Sequence, residues 1–419
     1  MNILVVHQYF LGKDDSGGSR WNQFAKYWSE QGHKIIVLAG SVHYATGKKL
    51  SQCKGKFIVE ENIDNNVKVF RCHVSESYNK SFIGRFWAYL SFAFSSIFAG
   101  LFKVGKADVV ICTSPPLTVG LTGWMLSILK RIPMVFEVRD LWPESAIDTG
   151  VLTNKFLIKL SYWLEKKSYK SACWINVLTP AFKQALIEKK NVRPDRLSMI
   201  PNAADIDIFK PGELDNWVRQ KHNLQGKFVI TYVGAHGKAN ALMQLVNVAE
   251  RIKNNDDVRI MLVGAGMEKQ MLMEEAQKKN LQNIVFVDAV SKEKIVDYVA
   301  ASNVCTAVLK RVDAFKTVYP NKMFDYMSAK RPIILAIDGV ARKVVEDANA
   351  GIYVEPENAN EFANAVIRLK NDNDLCIKFG ENGFKYVCEN FDRKVLATKY
   401  LGIIKSEVLN HYKERAVCK

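Results

Sequence analysis

Phe228-Val-Ile-Thr-Tyr-Val-Gly234-Ala-His-Gly237-Lys238 reads as an apolar strand, a Gly-x-x-Gly loop and a lysine that opens a helix. A strand without polar alternation is covered on both faces, as in a parallel sheet flanked by helices. The same unit recurs outward from this stretch. Downstream apolar runs occupy Val258–Gly264, Ile284–Val290, Asn303–Leu309, Arg331–Asp338 and Gly351–Val354. Helical periodicity separates them at about 240–254, 267–280, 319–330 and 360–371. Upstream runs occupy Asn2–His7, Lys34–Gly40, Lys68–Val74, Ala107–Ser114, Pro133–Asp140 and Cys173–Thr179, with helical stretches at Arg20–Gln31 and Leu117–Lys130.

This alternation predicts an α/β protein of two doubly wound, Rossmann-like domains facing across a cleft. The predicted domains are residues 1–200 and 215–393, joined by a Pro-, Asp- and Asn-rich hinge at 201–214. Residues 394–419, with a helix from Val395 to about Lys413, are expected to cross back to the first domain. Ligands of such sheets bind beyond the carboxyl ends of the strands.

Composition excludes several classes. The chain has 419 residues, 48% hydrophobic and 24% charged, which is ordinary globular usage. The eight cysteines form no C-x-x-C pair, so neither zinc spacing nor a disulfide framework is present, and reduced thiols in the cytoplasm are expected. The N-terminal strand lacks the basic and apolar regions of a secretory leader. The net charge is +16, of which residues 1–210 carry +11. A basic half suits phosphate or a membrane surface. No nucleic-acid-binding motif is present.

Four stretches carry candidate chemistry. Gly17 and Gly18 lie between the first strand, which ends at His7, and the helix at Arg20. Glycines there let backbone amides approach an anion at a helix N-terminus. Lys238 beside Gly234 and Gly237 can neutralise a diphosphate. Gly264 and Gly266 follow another strand, but Lys269 stands where a dinucleotide fingerprint needs glycine. In Tyr319-Pro-Asn321-Lys322-Met-Phe-Asp325-Tyr-Met, Lys322 and Asp325 share one helical face. A lysine can hold phosphate while an acid one turn on accepts vicinal sugar hydroxyls; the alternative is an i,i+3 salt bridge.

The order Pro201-Asn-Ala-Ala-Asp205 through Phe209-Lys-Pro211, then Val263-Gly-Ala-Gly266, then Pro320–Pro332 resembles the retaining glycosyltransferases of family 4, with the GT-B fold. Gln31–Leu38 matches as well, and Phe136-Glu-Val-Arg139-Asp140 through Glu144 resembles a bacterial branch that builds surface polysaccharides from amino sugars. The resemblance implies that the second domain binds a nucleotide sugar. Lys238 and Lys322 match the family's diphosphate-binding cations, and Asp325 matches the acid that holds ribose hydroxyls. Arg139 lies near a family active-site histidine and, with His7 and Asp140, is a candidate to orient the acceptor. Thr317 and Ala235 depart from the pattern: the family has an acid that touches the sugar at the first and an arginine at the second. Asp313 is a possible substitute for that acid.

No carboxylate nucleophile can be nominated for a double displacement, so retention implies front-face attack, with the leaving phosphate taking the acceptor's proton. Asp205-Ile-Asp207 suits turns and caps better than a metal, and no metal requirement is expected. Phe86–Phe102 is a 17-residue run without charge. Its small stripe (Ala88, Ser91, Ser95, Ala99) is expected to pack on the domain, and its bulky stripe, with Phe86, Phe94 and Phe98, to meet a bilayer. The expected enzyme moves an N-acetylated amino sugar from a UDP-sugar to a lipid-linked (polyprenyl diphosphate) oligosaccharide, for O-antigen or capsule, on the inner face of the cell membrane. A nucleotide-sugar epimerase of the same fold, or a non-catalytic binder of anionic lipid or nucleic acid, remains an alternative.

Overall fold

The computed structural model describes residues 1–12, 20–43, 47–77 and 82–417. These residues fall into two units. The first comprises the chain up to Pro201 together with the segment from Lys394; the second is Asn202–Arg393.

The first unit holds strands β1 (Asn2–Val6), β2 (Lys34–Gly40), β3 (Ile58–Asp64), β4 (Val67–Cys72), β5 (Val109–Ser114), β6 (Met134–Val138), β7 (Trp174–Val177) and β8 (Leu197–Met199). They form one eight-stranded sheet in the order β3-β4-β2-β1-β5-β6-β7-β8. All pairings are parallel except β3 with β4. Strand order reverses between β1 and β5, which makes the end of β1 the switch point of this sheet. Periodicity missed the edge hairpin partner β3, whose exposed, charged face lacks an apolar run, and the three-residue β8.

Helices α1 (Arg20–Glu30), α2 (Phe82–Phe102), α3 (Val119–Lys130), α4 (Glu144–Asp148), α5 (Lys155–Ser171) and α6 (Pro180–Glu188) flank this sheet. Asn154 caps α5 by accepting from the amides of Phe156 and Leu157. Thr179 caps α6, with Pro180 in its first turn. Helix α2 is 21 residues long rather than 17, because it begins before Arg85. Ala88, Ser95 and Ala99 are fully buried, and Ser96 Oγ lies 3.0 Å from Thr122 Oγ1 of α3. A Cβ on Gly100 would lie 2.6 Å from Leu126 of α3, so the small residues set how closely the two helices approach. The bulky stripe turns outward: Phe94, Phe98 and Phe102 are 62%, 45% and 69% exposed, while Phe86 is half-buried. By length and composition α2 could cross a membrane, yet its small stripe is buried against the domain.

The second unit holds α7 (Trp217–Lys221), α8 (Met243–Arg251), α9 (Lys269–Lys278), α10 (Lys292–Ala300), α11 (Asn321–Ser328), α12 (Val340–Asp347), α13 (Ala359–Asn371) and α14 (Asn373–Asn390). Its strands are β9 (Phe228–Val233), β10 (Val258–Val263), β11 (Ile284–Val287), β12 (Val304–Val308), β13 (Ile333–Ala336) and β14 (Gly351–Tyr353). They form a six-stranded, fully parallel sheet in the order β11-β10-β9-β12-β13-β14. Its switch point lies between β9 and β12. Ile230, Leu262, Val246 and Val366 are fully buried in its core.

Helix α15 (Arg393–Val417) ends the chain. Tyr400 packs edge-on against Phe24 and Trp28 of α1, and Trp28 Nε1 donates to the Ala397 carbonyl at 2.9 Å. The chain thus contains the two α/β domains expected from its apolar rhythm.

Candidate functional site

The glycine loops after β9 and β10 are built on each other. His236 N donates to Ala265 O at 2.9 Å, and Glu268 N donates to His236 O at 3.0 Å. A Cβ on Gly264 would stand 2.0 Å from the Gly234 carbonyl, and one on Gly266 would stand 2.3 Å from that of His236. Gly234 and Gly264 also hold φ near +150°, which disfavours side chains. Gly264 and Gly266 are therefore needed where backbones touch. A Cβ on Gly237 would meet open space. Lys269 explains the missing fingerprint glycine: its Nζ donates to Gly264 O, Val287 O and Asp288, tying the loop to the end of β11.

Lys238 is exposed and begins a single 3-10 turn, Lys238–Asn240. The following α-helix starts only at Met243. The expectation that this lysine acts with a helix N-terminus is therefore corrected: Ala241, left-handed at φ 45°, interrupts the run.

Helix α11 supplies the polar cluster. Lys322 Nζ sits 3.7 Å from the centroid of the Tyr232 ring at the end of β9. It stands 2.6 Å from where a Cβ on Gly234 would be, so a side chain there would displace the ammonium from this position. Lys322 has no carboxylate partner among the described residues. Burial pushes its ammonium down to about 7. The i,i+3 salt bridge with Asp325 is not made. Instead Asp325 faces Asp205, whose backbone amide donates to it. Burial first, then the Asp205 charge, raises the Asp325 carboxyl well above the usual carboxylate range. Asp325 Oδ1 and Asn321 Oδ1 are buried without hydrogen-bond partners among the described residues. The first turns of one helix thus hold a lysine without a carboxylate partner and two unsatisfied oxygens among the described residues. The helix N-terminus adds positive potential there.

His236, quoted in the loop motif but given no role, is fully buried. Both its ring nitrogens lack hydrogen-bond partners among the described residues, and burial with nearby Lys269 and Lys322 lowers its pKa to about 4. It is neutral at physiological pH. Only its position between two lysines distinguishes it, and that is invisible in sequence.

Thr317 donates to the Ala314 carbonyl at 2.6 Å. Asp313 is exposed and paired with Lys316 at 2.9 Å. Asp205 is held by Arg393 and Lys292, whereas Asp207 is exposed. The two carboxylates of Asp-x-Asp therefore face different surroundings. No cluster of three potential metal ligands occurs among the described residues.

In the first unit His7 follows β1 at the switch point and is buried. Burial, then Arg139, then Arg71, lowers its pKa well below the usual histidine value, so its imidazole is neutral. Its Nδ1 lacks a partner among the described residues. Arg139 follows β6 and its amide donates to Ser114 O at the end of β5. The fold therefore brings His7 and Arg139 together. Asp140 is raised by burial and accepts from Ser145 Oγ at 2.9 Å. Gly17 and Gly18 lie outside the described residues.

Two α/β domains built on parallel sheets, each with a switch point beside polar side chains, are the architecture of the GT-B class. Comparison with known proteins agrees. Residues 17–203 match the glycosyl transferase 4-like domain, and residues 227–372 match glycosyl transferases group 1. An uncharacterized glycosyltransferase of Methanocaldococcus jannaschii is 22% identical over 410 residues, spanning 96% of this chain and 97% of its own. Alpha-D-kanosaminyltransferase of Streptomyces kanamyceticus is 19% identical over 284 residues, 67% of this chain and 72% of its own. The structure of HepE from Anabaena in complex with UDP superposes with a TM-score of 0.70 at 17% identity, covering 97% of this chain and 100% of that one. The chain belongs to the glycosyltransferases of the GT-B fold.

Proposed function

We propose that the chain is a retaining glycosyltransferase that moves an N-acetylated amino sugar from a UDP-sugar to a lipid-linked oligosaccharide in surface-polysaccharide synthesis. The observation that carries the donor reading is the α11 cluster. Lys322 has no counter-ion among the described residues, and Asn321 and Asp325 keep unsatisfied oxygens beside it. A nucleoside diphosphate supplies the missing anion, and its ribose supplies hydroxyls. The structural likeness to a UDP-bound protein supports this reading, as does a kanosaminyltransferase among the relatives.

In the proposed reaction the bond from the anomeric carbon to the diphosphate oxygen breaks and the bond to the acceptor oxygen forms on the same face. The acceptor's proton passes to the leaving phosphate. Lys322 and the α11 N-terminus stabilise the charge gathering on that phosphate. His7 and Arg139 orient the acceptor, and no metal is required. The exposed stripe of α2, with cationic Lys103 and Lys106 at its end, rests on the cytoplasmic face of the membrane. Thermal shift with UDP and UDP-N-acetylhexosamines tests the donor reading, because a ligand of the folded state raises Tm. An unchanged Tm at millimolar UDP contradicts it.

A further inference from the structure

Between α2, α3 and α5 lies an apolar cavity of about 180 Å³. Phe86, Leu90, Leu121, Trp142, Leu160 and Leu164 line it. It opens to solvent past Val151, Leu160 and Trp163, all partly exposed, and a concave apolar wall of this kind favours an apolar ligand. Its polar lining is sparse and uneven. Arg85 is the one charged residue on its wall among the described residues. Thr118 is 8% exposed, and its hydroxyl, on the same wall, has no hydrogen-bond partner among the described residues. Helix α5 separates this cavity from a second hollow of mixed charge, in which Lys166, Lys170 and Arg196 stand beside Glu144 and Glu165, both paired with Lys190.

This lining suits an amphiphile, a hydrocarbon chain on the apolar wall joined to an anion near Arg85. The concave cavity differs in this from the exposed outer stripe at Phe94 and Phe98, which suits a flat surface. Phe86 and Leu90 lead into that stripe two turns and one turn before Phe94, so a long chain has an apolar path out of the cavity. We propose that this cavity holds the isoprenoid chain next to the phosphate of the lipid-linked acceptor, with Arg85 and Thr118 facing the phosphate end. The proposal rests on the lipid-linked acceptor reading above and adds the place where the first unit grips it.

The test uses the full chain and farnesyl phosphate, with farnesol and inorganic phosphate as controls. Binding is read by tryptophan fluorescence, since Trp142 and Trp163 line the cavity. Ser161, half-buried on the wall, becomes phenylalanine to fill the space. Ser161→Phe should raise the Kd for farnesyl phosphate about tenfold, as expected when roughly two methylene groups lose their burial. UDP binding should not change. Arg85→Gln should reduce the preference for farnesyl phosphate over farnesol to near unity. Should Ser161→Phe not fold, Leu160→Asn, at a residue already 38% exposed, makes the same test.

Wild-type affinity for farnesyl phosphate in a folded Ser161→Phe or Leu160→Asn chain overturns the proposal. So does equal loss of binding to phosphatidylglycerol vesicles, which would make the cavity part of a bilayer contact. If UDP binds and farnesyl phosphate does not, the cavity assignment falls and the transferase reading stands. If neither binds, the transferase reading falls with it.

Discussion

Arg20 and Glu137 form a two-pronged ion pair with neither side chain exposed to solvent. Trp21 and Asn176 donate to the same carboxylate at 3.1 Å each. Arg20 also donates to the carbonyls of Ile200 and Pro201. The first residue of α1 is thereby tied to the chain leaving β8. Removing one charge strands the other without solvent. Glu137→Gln should cost about 3–5 kcal/mol of stability, read as a lowered urea midpoint. A midpoint within error of the parent would contradict this role for the pair.

Lys322 gives the donor site a proton signature. Its pKa is lowered to about 7 in the folded chain from 10.5. Between these values the unfolded chain binds more protons at this group, so its contribution makes stability rise with pH across that window. A bound diphosphate favours the charged form and draws a proton onto the amine. At about pH 8, UDP binding should therefore take up protons, and its calorimetric enthalpy should differ between phosphate and Tris buffers. Lys322→Arg, charged throughout, should abolish the difference. Equal buffer dependence in both proteins would remove Lys322 from the diphosphate.

Phe94 and Phe98 face outward, so replacing them disturbs little of the core. Phe94→Ser/Phe98→Ser should release the enzyme from anionic vesicles in a flotation assay, with Tm held within a few degrees. Unchanged flotation would show that α2 does not carry membrane contact.

Asp205 spends its carboxylate on Lys292 and Arg393, next to the backbone bridge that joins Ala204 to Asp392. Asp205→Asn should lower Tm, while EDTA should leave turnover unchanged. Loss of turnover with EDTA, restored by Mn²⁺, would reopen a metal role.

Much of the fold was legible because buried parallel strands are apolar on both faces, and most of the sheet strands announced themselves so. β3 did not: it is an edge strand on which Glu60, Asn62 and Asp64 face water. The position of Lys322 on a helix N-terminus was readable from Pro320 and the spacing. Its missing partner was not, because that depends on Tyr232 and Gly234 reaching it from another strand. Asp325 looked like a partner for Lys322 in sequence and turned out to face Asp205, since the hinge segment returns against α11. The pair Arg20–Glu137 joins residues 117 positions apart, beyond any local pattern.

The most direct measurement is steady-state kinetics with the UDP-sugar donor on Lys322→Ala and Asp325→Ala, alongside UDP calorimetry. Charge grows on the leaving phosphate in the transition state, so a group that meets it shows in turnover. Lys322→Ala should lower kcat by roughly 10²-fold or more, as does loss of an oxyanion donor. Asp325→Ala should mainly weaken UDP, by about 1.5–3 kcal/mol. Near-parent kcat and UDP affinity in both folded variants would contradict the assignment of the donor site to α11.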